Sequence, residues 1–235
     1  MCGRYTNTSG PEELNERFHV PIRSDAGTHR FNIAPTDEVL AIVRSREGPR
    51  AELLRWGLIP TWAKDLKGGA RMINARIETV TTTPAYRNLV PRADRRALQL
   101  ADGYFEWLKP EQSAARSKLG PAQPFFFQVD EGVPFAFAAL WTPAKVAGEW
   151  VRSITLLTCD SQSNRTAAPI HNRMPVILAD EDARRAWLDP ALGAREALEL
   201  CGPLPTERLS ARPANPAVNK PGAVEEGPEL LHAPA

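Results

Sequence analysis

Short apolar runs, broken again and again by Pro, Gly, Asp and Asn, restrict this chain more than any other feature. RFNIAP, EVLAIV, ELLRWGLI, RALQLADGYFEWL, PFFFQVD, PFAFAALW, SITLLTCD and MPVIL are rich in β-branched and aromatic residues, and turn formers bound them. Their number and spacing predict a β-rich core. Helical signals are sparser. SGPEELNERF predicts a short helix with Ser9 as N-cap, Pro11 in the first turn and Glu12 and Glu13 at the positive end. ADEDARRAWLD predicts a second, capped by Asp180, and LGAREALELCGP a third that Gly202 and Pro203 end. With no internal repeat and no linker that would split it, the chain of 235 residues reads as one α+β domain over 1–235, its core spanning about 2–231. The polar stretch 109–124 predicts an exposed hairpin loop, and 232–235 a tail.

Composition removes several function classes. With 43% hydrophobic and 24% charged residues the chain is an ordinary globular one. It lacks an apolar run long enough to span a membrane, and the opening MCGRYTNTSGPEELNERF has no apolar leader segment, so the expected location is cytoplasmic. Cys2, Cys159 and Cys201 are far apart, and His19, His29, His171 and His232 show no ligand spacing. Neither a disulfide framework nor a metal is expected, nor any cofactor. A net charge of +1 does not advertise a general polyanion binder, so a nucleic-acid partner would have to be met by a local basic groove.

Cysteine at position 2 raises a chemical possibility. Initiator methionine is normally removed before a small residue, and Cys2 would then carry a free α-amine and a thiol on the same two-carbon unit. Both groups titrate near enough to neutrality, about 7.7–8.0 and about 8.5, to act as nucleophiles. Such a 1,2-aminothiol can trap an aldehyde as an imine and close through sulfur to a thiazolidine. Taken alone, Cys2 reads more simply as an accident of position.

Three further islands carry more polar groups than folding requires. In RMINARIET, Asn74 and Arg76 alternate with apolar residues. They are either the solvated face of an edge strand or an amide and a guanidinium pointing into a groove. In ADGYFEWLK, Glu106 lies between Phe105 and Trp107. It is either an exposed strand residue or a proton carrier that these aromatic neighbours desolvate; Asp102 and Gly103 read as a turn or bulge. In APIHNRMPVIL, His171 is either structural or the acid/base at the mouth of a strand. RWGLIPTWAKD adds Trp56 and Trp62, one of them core, the other a stacking platform for unpaired bases if exposed beside its Lys and Arg neighbours.

The order MCGRY, FNIAP, WGLIPTWAKD, MINARIET, ADGYFEW, IHNRMPVIL, AVNKPG resembles the SOS-response-associated peptidase (SRAP) family over nearly the whole chain. The resemblance implies a largely antiparallel, barrel-like sheet flanked by short helices. It implies a protein that binds abasic sites in single-stranded DNA, associates with the nucleoid when bound, and crosslinks to the site covalently through Cys2 during the DNA damage response. An associated peptidase activity and a lyase-type step are implied with it. Matched motif by motif, the catalytic residues are Cys2, Asn74, Glu106 and His171. Arg4, Asn32, Pro35, Trp56, Trp62, Arg76, Trp107 and Arg173 would line the DNA groove. The protein is expected to act as a monomer, without membrane or metal. Asn172 stands where the family commonly has Asp, which alters the charge beside His171. Two rivals are an N-terminal-nucleophile glutamine amidotransferase, which also begins Met-Cys-Gly but carries glutamine-binding motifs absent here, and a non-covalent single-strand binding module.

Overall fold

The fold, known from a computed structural model, is described for residues 2–108, 122–220, 222 and 227–234. In chain order its regular elements are β1 (Arg4–Asn7), α1 (Pro11–Phe18), β2 (Arg30–Ile33), β3 (Glu38–Ser45), β4 (Gly48–Trp56), β5 (Asn74–Arg76), β6 (Arg96–Ala101) and β7 (Gly103–Leu108). They continue as β8 (Gln123–Val129), β9 (Phe135–Val146), β10 (Glu149–Asp160), β11 (Arg173–Pro175), β12 (Ile177–Leu178), α2 (Glu181–Trp187), α3 (Ala194–Glu199) and β13 (Leu209–Pro213). The expected loop over 109–124 lies outside the described residues as far as 121, and Gln123 and Pro124 already belong to β8.

Five strands form a closed ring. β4, β3, β6, β9 and β10 pair in that order, all antiparallel, and β10 returns to β4 in parallel register at Ser153 and Ile154. Closure leaves the ring no free edge. A second antiparallel sheet, β13-β8-β7-β1-β2, packs one face against it. Its inward residues Tyr5 and Tyr104 meet Phe137 and Trp56 of the ring edge to face, with centroids 5.2–6.2 Å apart. This aromatic seam carries much of the core. No helix among the described residues is long and apolar enough to cross a membrane.

Where the expected elements shift, the cause is local. RALQLADGYFEWL is two strands because Asp102 turns its carboxylate onto the N-terminal segment, and Gly103 has no room for a side chain. A Cβ there would lie 2.2 Å from Cζ of Phe126. ELLRWGLI leaves its strand at Trp56, since Gly57, at φ 120°, turns the chain and packs its backbone against Gly69. Gly10, not Ser9, occupies the N-cap of α1, and the Ser9 amide donates to Asp102 (3.0 Å). Asp180 does cap α2 in position, but its carboxylate accepts from Arg208 at 2.8 and 3.0 Å and bonds no helix amide.

Candidate active site

The sites expected from four separate stretches converge through β10. β5 runs parallel to it, with Asn74 opposite Leu156 and Arg76 opposite Thr158. β11 lies antiparallel, with Arg173 opposite Asp160, so His171 falls just before the strand at the same end of β10. The second sheet brings in the other two residues, since β1 and β7 are neighbours with Tyr5 opposite Tyr104.

Cys2 is fully buried. Its carbonyl accepts a hydrogen bond from Nδ2 of Asn74 at 2.9 Å, and its thiol lies 3.6 Å from the carbonyl of Arg4. Burial pushes the thiol's pKa far above the ordinary range, and the Glu106 carboxylate pushes it further. At neutral pH Cys2 is therefore an un-ionised thiol whose hydrogen-bond acceptor is the Arg4 carbonyl, with the Glu106 carboxylate close enough to act on it electrostatically. Glu106 itself is buried, but not by the neighbours expected. Phe105 and Trp107 point to the opposite face of β7, where they pack with Phe126, Ala214 and Val218. Strand alternation puts Glu106 on the Tyr104 side, between sheet and barrel. The same alternation places Asn74 and Arg76 together on one face of β5 with Ala75 buried on the other.

Asp102 is what fixes the approach to Cys2. Only 5% exposed, it accepts Thr6 Oγ1 at 2.5 Å, the Thr8 amide at 2.5 Å, Thr8 Oγ1 at 2.7 Å and the Ser9 amide at 3.0 Å. Read from sequence as a turn residue, it is the anchor of the N-terminal strand. The signal available was the run of Thr6, Thr8 and Ser9, short polar side chains that need a buried acceptor if their strand is internal.

His171 sits in a loop held at several points. Its amide donates to the Ala167 carbonyl (3.0 Å), and its carbonyl accepts Ser161 Oγ (2.6 Å). Its Nδ1 accepts the backbone amide of Arg173 at 3.0 Å. Asn172, between them, is exposed. The Arg173 guanidinium turns away from open surface: it meets both oxygens of Glu78, at 2.6 and 3.0 Å, and donates to the Thr158 carbonyl at 2.7 Å. Arg173 in turn holds the Glu78 carboxyl below the usual carboxylate range.

The residues expected to line a groove divide into two groups. Trp62 is 59% exposed on a loop that also exposes Lys64, Lys67 and Arg71, and Arg76 is exposed as well. Arg4 and Pro35 are half-buried. Trp56 is corrected to a core residue: it is fully buried against Tyr5, its Nε1 donating to the Ile73 carbonyl at 3.1 Å. Asn32 is buried too, with Nδ2 3.3 Å from the Val218 carbonyl. Trp107 is partly buried, its Nε1 held by Oδ1 of Asn219 at 2.8 Å. The AVNKPG motif thus acts here through the turn Pro216–Asn219, which clasps both Asn32 and Trp107. No cluster of three or more His, Cys, Asp or Glu able to hold a metal occurs among the described residues.

A family model described as SOS response associated peptidase (SRAP) matches residues 1–221. The abasic site processing protein YoaM of Bacillus subtilis (strain 168) is 34% identical over 237 residues, covering 99% of this chain and 98% of that protein. The abasic site processing protein YoqW of the same organism is 33% identical over 240 residues, covering 99% of this chain and all of that protein. A crystal structure of a Bacteroides thetaiotaomicron protein superposes over the whole of both chains with a TM-score of 0.82 at 20% identity, which speaks to the fold alone.

Proposed function

The chain belongs to the SOS response associated peptidase (SRAP) family, and from that premise we propose that it captures abasic sites in single-stranded DNA as a covalent adduct of Cys2. The relatives named above are abasic site processing proteins, which supports abasic DNA as the substrate. The observation that carries the reading is the setting of Cys2: buried, its carbonyl held by Asn74, its thiol facing the charge of Glu106, on a strand that Asp102 ties down.

The chemistry uses each of these features. Once Met1 is gone, the α-amine of Cys2 adds to the aldehyde carbon of the ring-opened sugar, and the carbinolamine loses one water to give an imine. The thiol then adds to the imine carbon while its proton passes to the imine nitrogen, closing the thiazolidine. A thiol kept un-ionised by burial needs a proton carrier for this step, and Glu106 supplies it. Asn74 fixes the main chain of Cys2 so that amine and thiol keep one orientation. His171 assists at the sugar oxygen. Trp62, Arg76, Lys64, Lys67 and Arg71 offer stacking and phosphate contacts to the strand. The associated peptidase activity is the removal of residues that precede Cys2, which frees the same amine; the imine stage is where a lyase-type step would branch off.

The test is a denaturing gel. Mature protein incubated with a single-stranded oligonucleotide containing one abasic site should give a shifted band that survives denaturation and is lost in Cys2→Ala. A wild-type complex that falls apart under those conditions sinks the covalent reading and leaves a non-covalent binder. Robust ammonia release from glutamine would point to the amidotransferase chemistry instead.

A further inference from the structure

We propose that the cleft between the β3–β4 turn and the turn Ala93–Arg95 is a binding site for a polyphosphate anion, two or more linked phosphates, separate from the candidate active site. No residue placed in that active site lines the cleft. It measures about 640 Å³, the size of a small-molecule site. Two segments supply its cations. Arg44 lies near the end of β3, Arg46 in the turn and Arg50 on β4, while Arg95 comes from Ala93–Arg95, which packs on β3. In a chain of net charge +1 such a gathering of guanidiniums is local, and Glu47 and Asp94 are the carboxylates that line the cleft with them.

These cations are poorly compensated from within the protein. The side chains of Arg44 and Arg46 make no ion pair or hydrogen bond among the described residues. Arg50 shares the Glu52 carboxylate with Arg152. Asp94 gives its two oxygens to Arg92, at 3.0 and 2.7 Å, and stays 3.8 Å from Arg95. Arg95 instead lies over the Trp141 ring, 4.9 Å from its centroid, with 19% of its side chain exposed. Burial lowers its pKa, yet an arginine stays charged at neutral pH, so the guanidinium is a recessed charge that a bound anion would compensate. Depth selects the ligand. Arg44 and Arg95 are half-buried while Arg46 and Arg50 stand exposed on the rim, an arrangement that surrounds a compact anion. A nucleic-acid backbone would lie across the rim and leave the recessed pair untouched. Trp141, the aromatic ring of the lining, is 8% exposed and covered by Arg95, so it offers no face to a base. Linked phosphates, whether the tail of a nucleotide or an inorganic chain, suit a lining of guanidinium forks without a base platform.

Calorimetric titration of the full chain without DNA tests this apart from the reading of Cys2. At about 0.15 M salt, tripolyphosphate and ATP should each bind saturably at one site. AMP, with a single phosphate, should bind at least about tenfold more weakly than ATP. The double variant Arg44→Gln/Arg46→Gln should weaken tripolyphosphate at least about tenfold, since contacts between charged groups are the strong ones, and Arg95→Gln should do the same alone. The double variant breaks no ion pair or hydrogen bond among the described residues, so it carries the test should Arg95→Gln fold poorly. A preference of about tenfold for ATP over tripolyphosphate identifies a nucleotide tail as the source, and equal or weaker ATP binding the bare chain. Absence of saturable binding by either, wild-type affinity in the double variant, or AMP binding as tightly as ATP overturns the proposal. So does the converse pattern, in which tripolyphosphate fails to bind and an undamaged oligonucleotide loses about tenfold in affinity in Arg44→Gln/Arg46→Gln; the cleft is then a contact for a nucleic-acid backbone.

Discussion

Asp102 and Glu78 each fasten one half of the candidate site, the first from inside the core and the second from the surface. Asp102 is 5% exposed and gathers four donors from Thr6, Thr8 and Ser9. Glu78, with 47% of its side chain exposed, gathers one guanidinium. A buried carboxylate has no water to fall back on, nor have the donors that depend on it, so removing it leaves several groups unsatisfied at once. A half-exposed carboxylate exchanges its partner for solvent at little cost, and Arg173, though its side chain is only 10% exposed, keeps its bond to the Thr158 carbonyl. Energy therefore sits at the Cys2 end, while the His171 end is held by geometry that contributes little to stability.

The comparison is most easily broken by paired substitutions. Asp102→Ala should lower the free energy of unfolding by about 3–4 kcal/mol, because it strands the Thr6 hydroxyl and the Thr8 and Ser9 amides. Glu78→Ala should cost less than about 1 kcal/mol. Denaturant titrations with equal slopes check both values, and similar losses in the two variants would end the distinction. Next in size is Gly103→Ala, beside the anchor. A methyl there must displace the Phe126 ring and lies 3.0 Å from the Phe127 carbonyl, so a loss of about 1–3 kcal/mol is expected from overpacking. No loss would mean that the β7–β8 pairing yields, and that the strand behind Asp102 is softer than its burial suggests. Asn74→Ala comes third, costing about 1 kcal/mol for one hydrogen bond. In the crosslinking assay it should act far beyond that cost, as it frees the main chain of Cys2; a rate as close to wild type as the stability would remove Asn74 from the site.

The same contrast explains which residues could be read from sequence. Strands announced themselves where alternation and turn formers coincide, and Asn74 and Arg76 fall on the face that alternation assigns them. A barrel-like sheet was legible only through the family resemblance, because closure depends on β10 meeting β4 in parallel register across nearly a hundred residues, which no local pattern reports. Glu106 is buried for a reason its sequence does not show: its neighbours in sequence, Phe105 and Trp107, are its opposites in space, and what desolvates it lies on the Tyr104 face. Trp56 and Trp62 share one motif, yet the turn at Gly57 sends the first into the core and leaves the second on the surface. The anchoring roles of Asp102, which reads as a turn residue, and of Glu78 are hidden in the sequence for a common reason. Their partners lie 93 to 96 residues away, and no local pattern reports a contact that only the tertiary fold creates.

The smallest expected effect is a pH dependence at the Glu78 end. Arg173 holds the Glu78 carboxyl below the range of a free glutamate, so its folded pKa lies under its unfolded value of about 4.3. A carboxylate depressed in this way adds stability above the unfolded pKa and loses it as the pH falls through the folded one. The stability difference between wild type and Glu78→Gln should therefore be flat from neutrality down to about pH 5, then shrink toward zero on further acidification. Its plateau should be no more than a few tenths of a kcal/mol, given the exposure of the Glu78 carboxylate. Urea titrations of both proteins across that range make the measurement. A difference that grows on acidification would reverse the sign of the shift, and one that ignores pH would mean that Glu78 and Arg173 do not pair in solution.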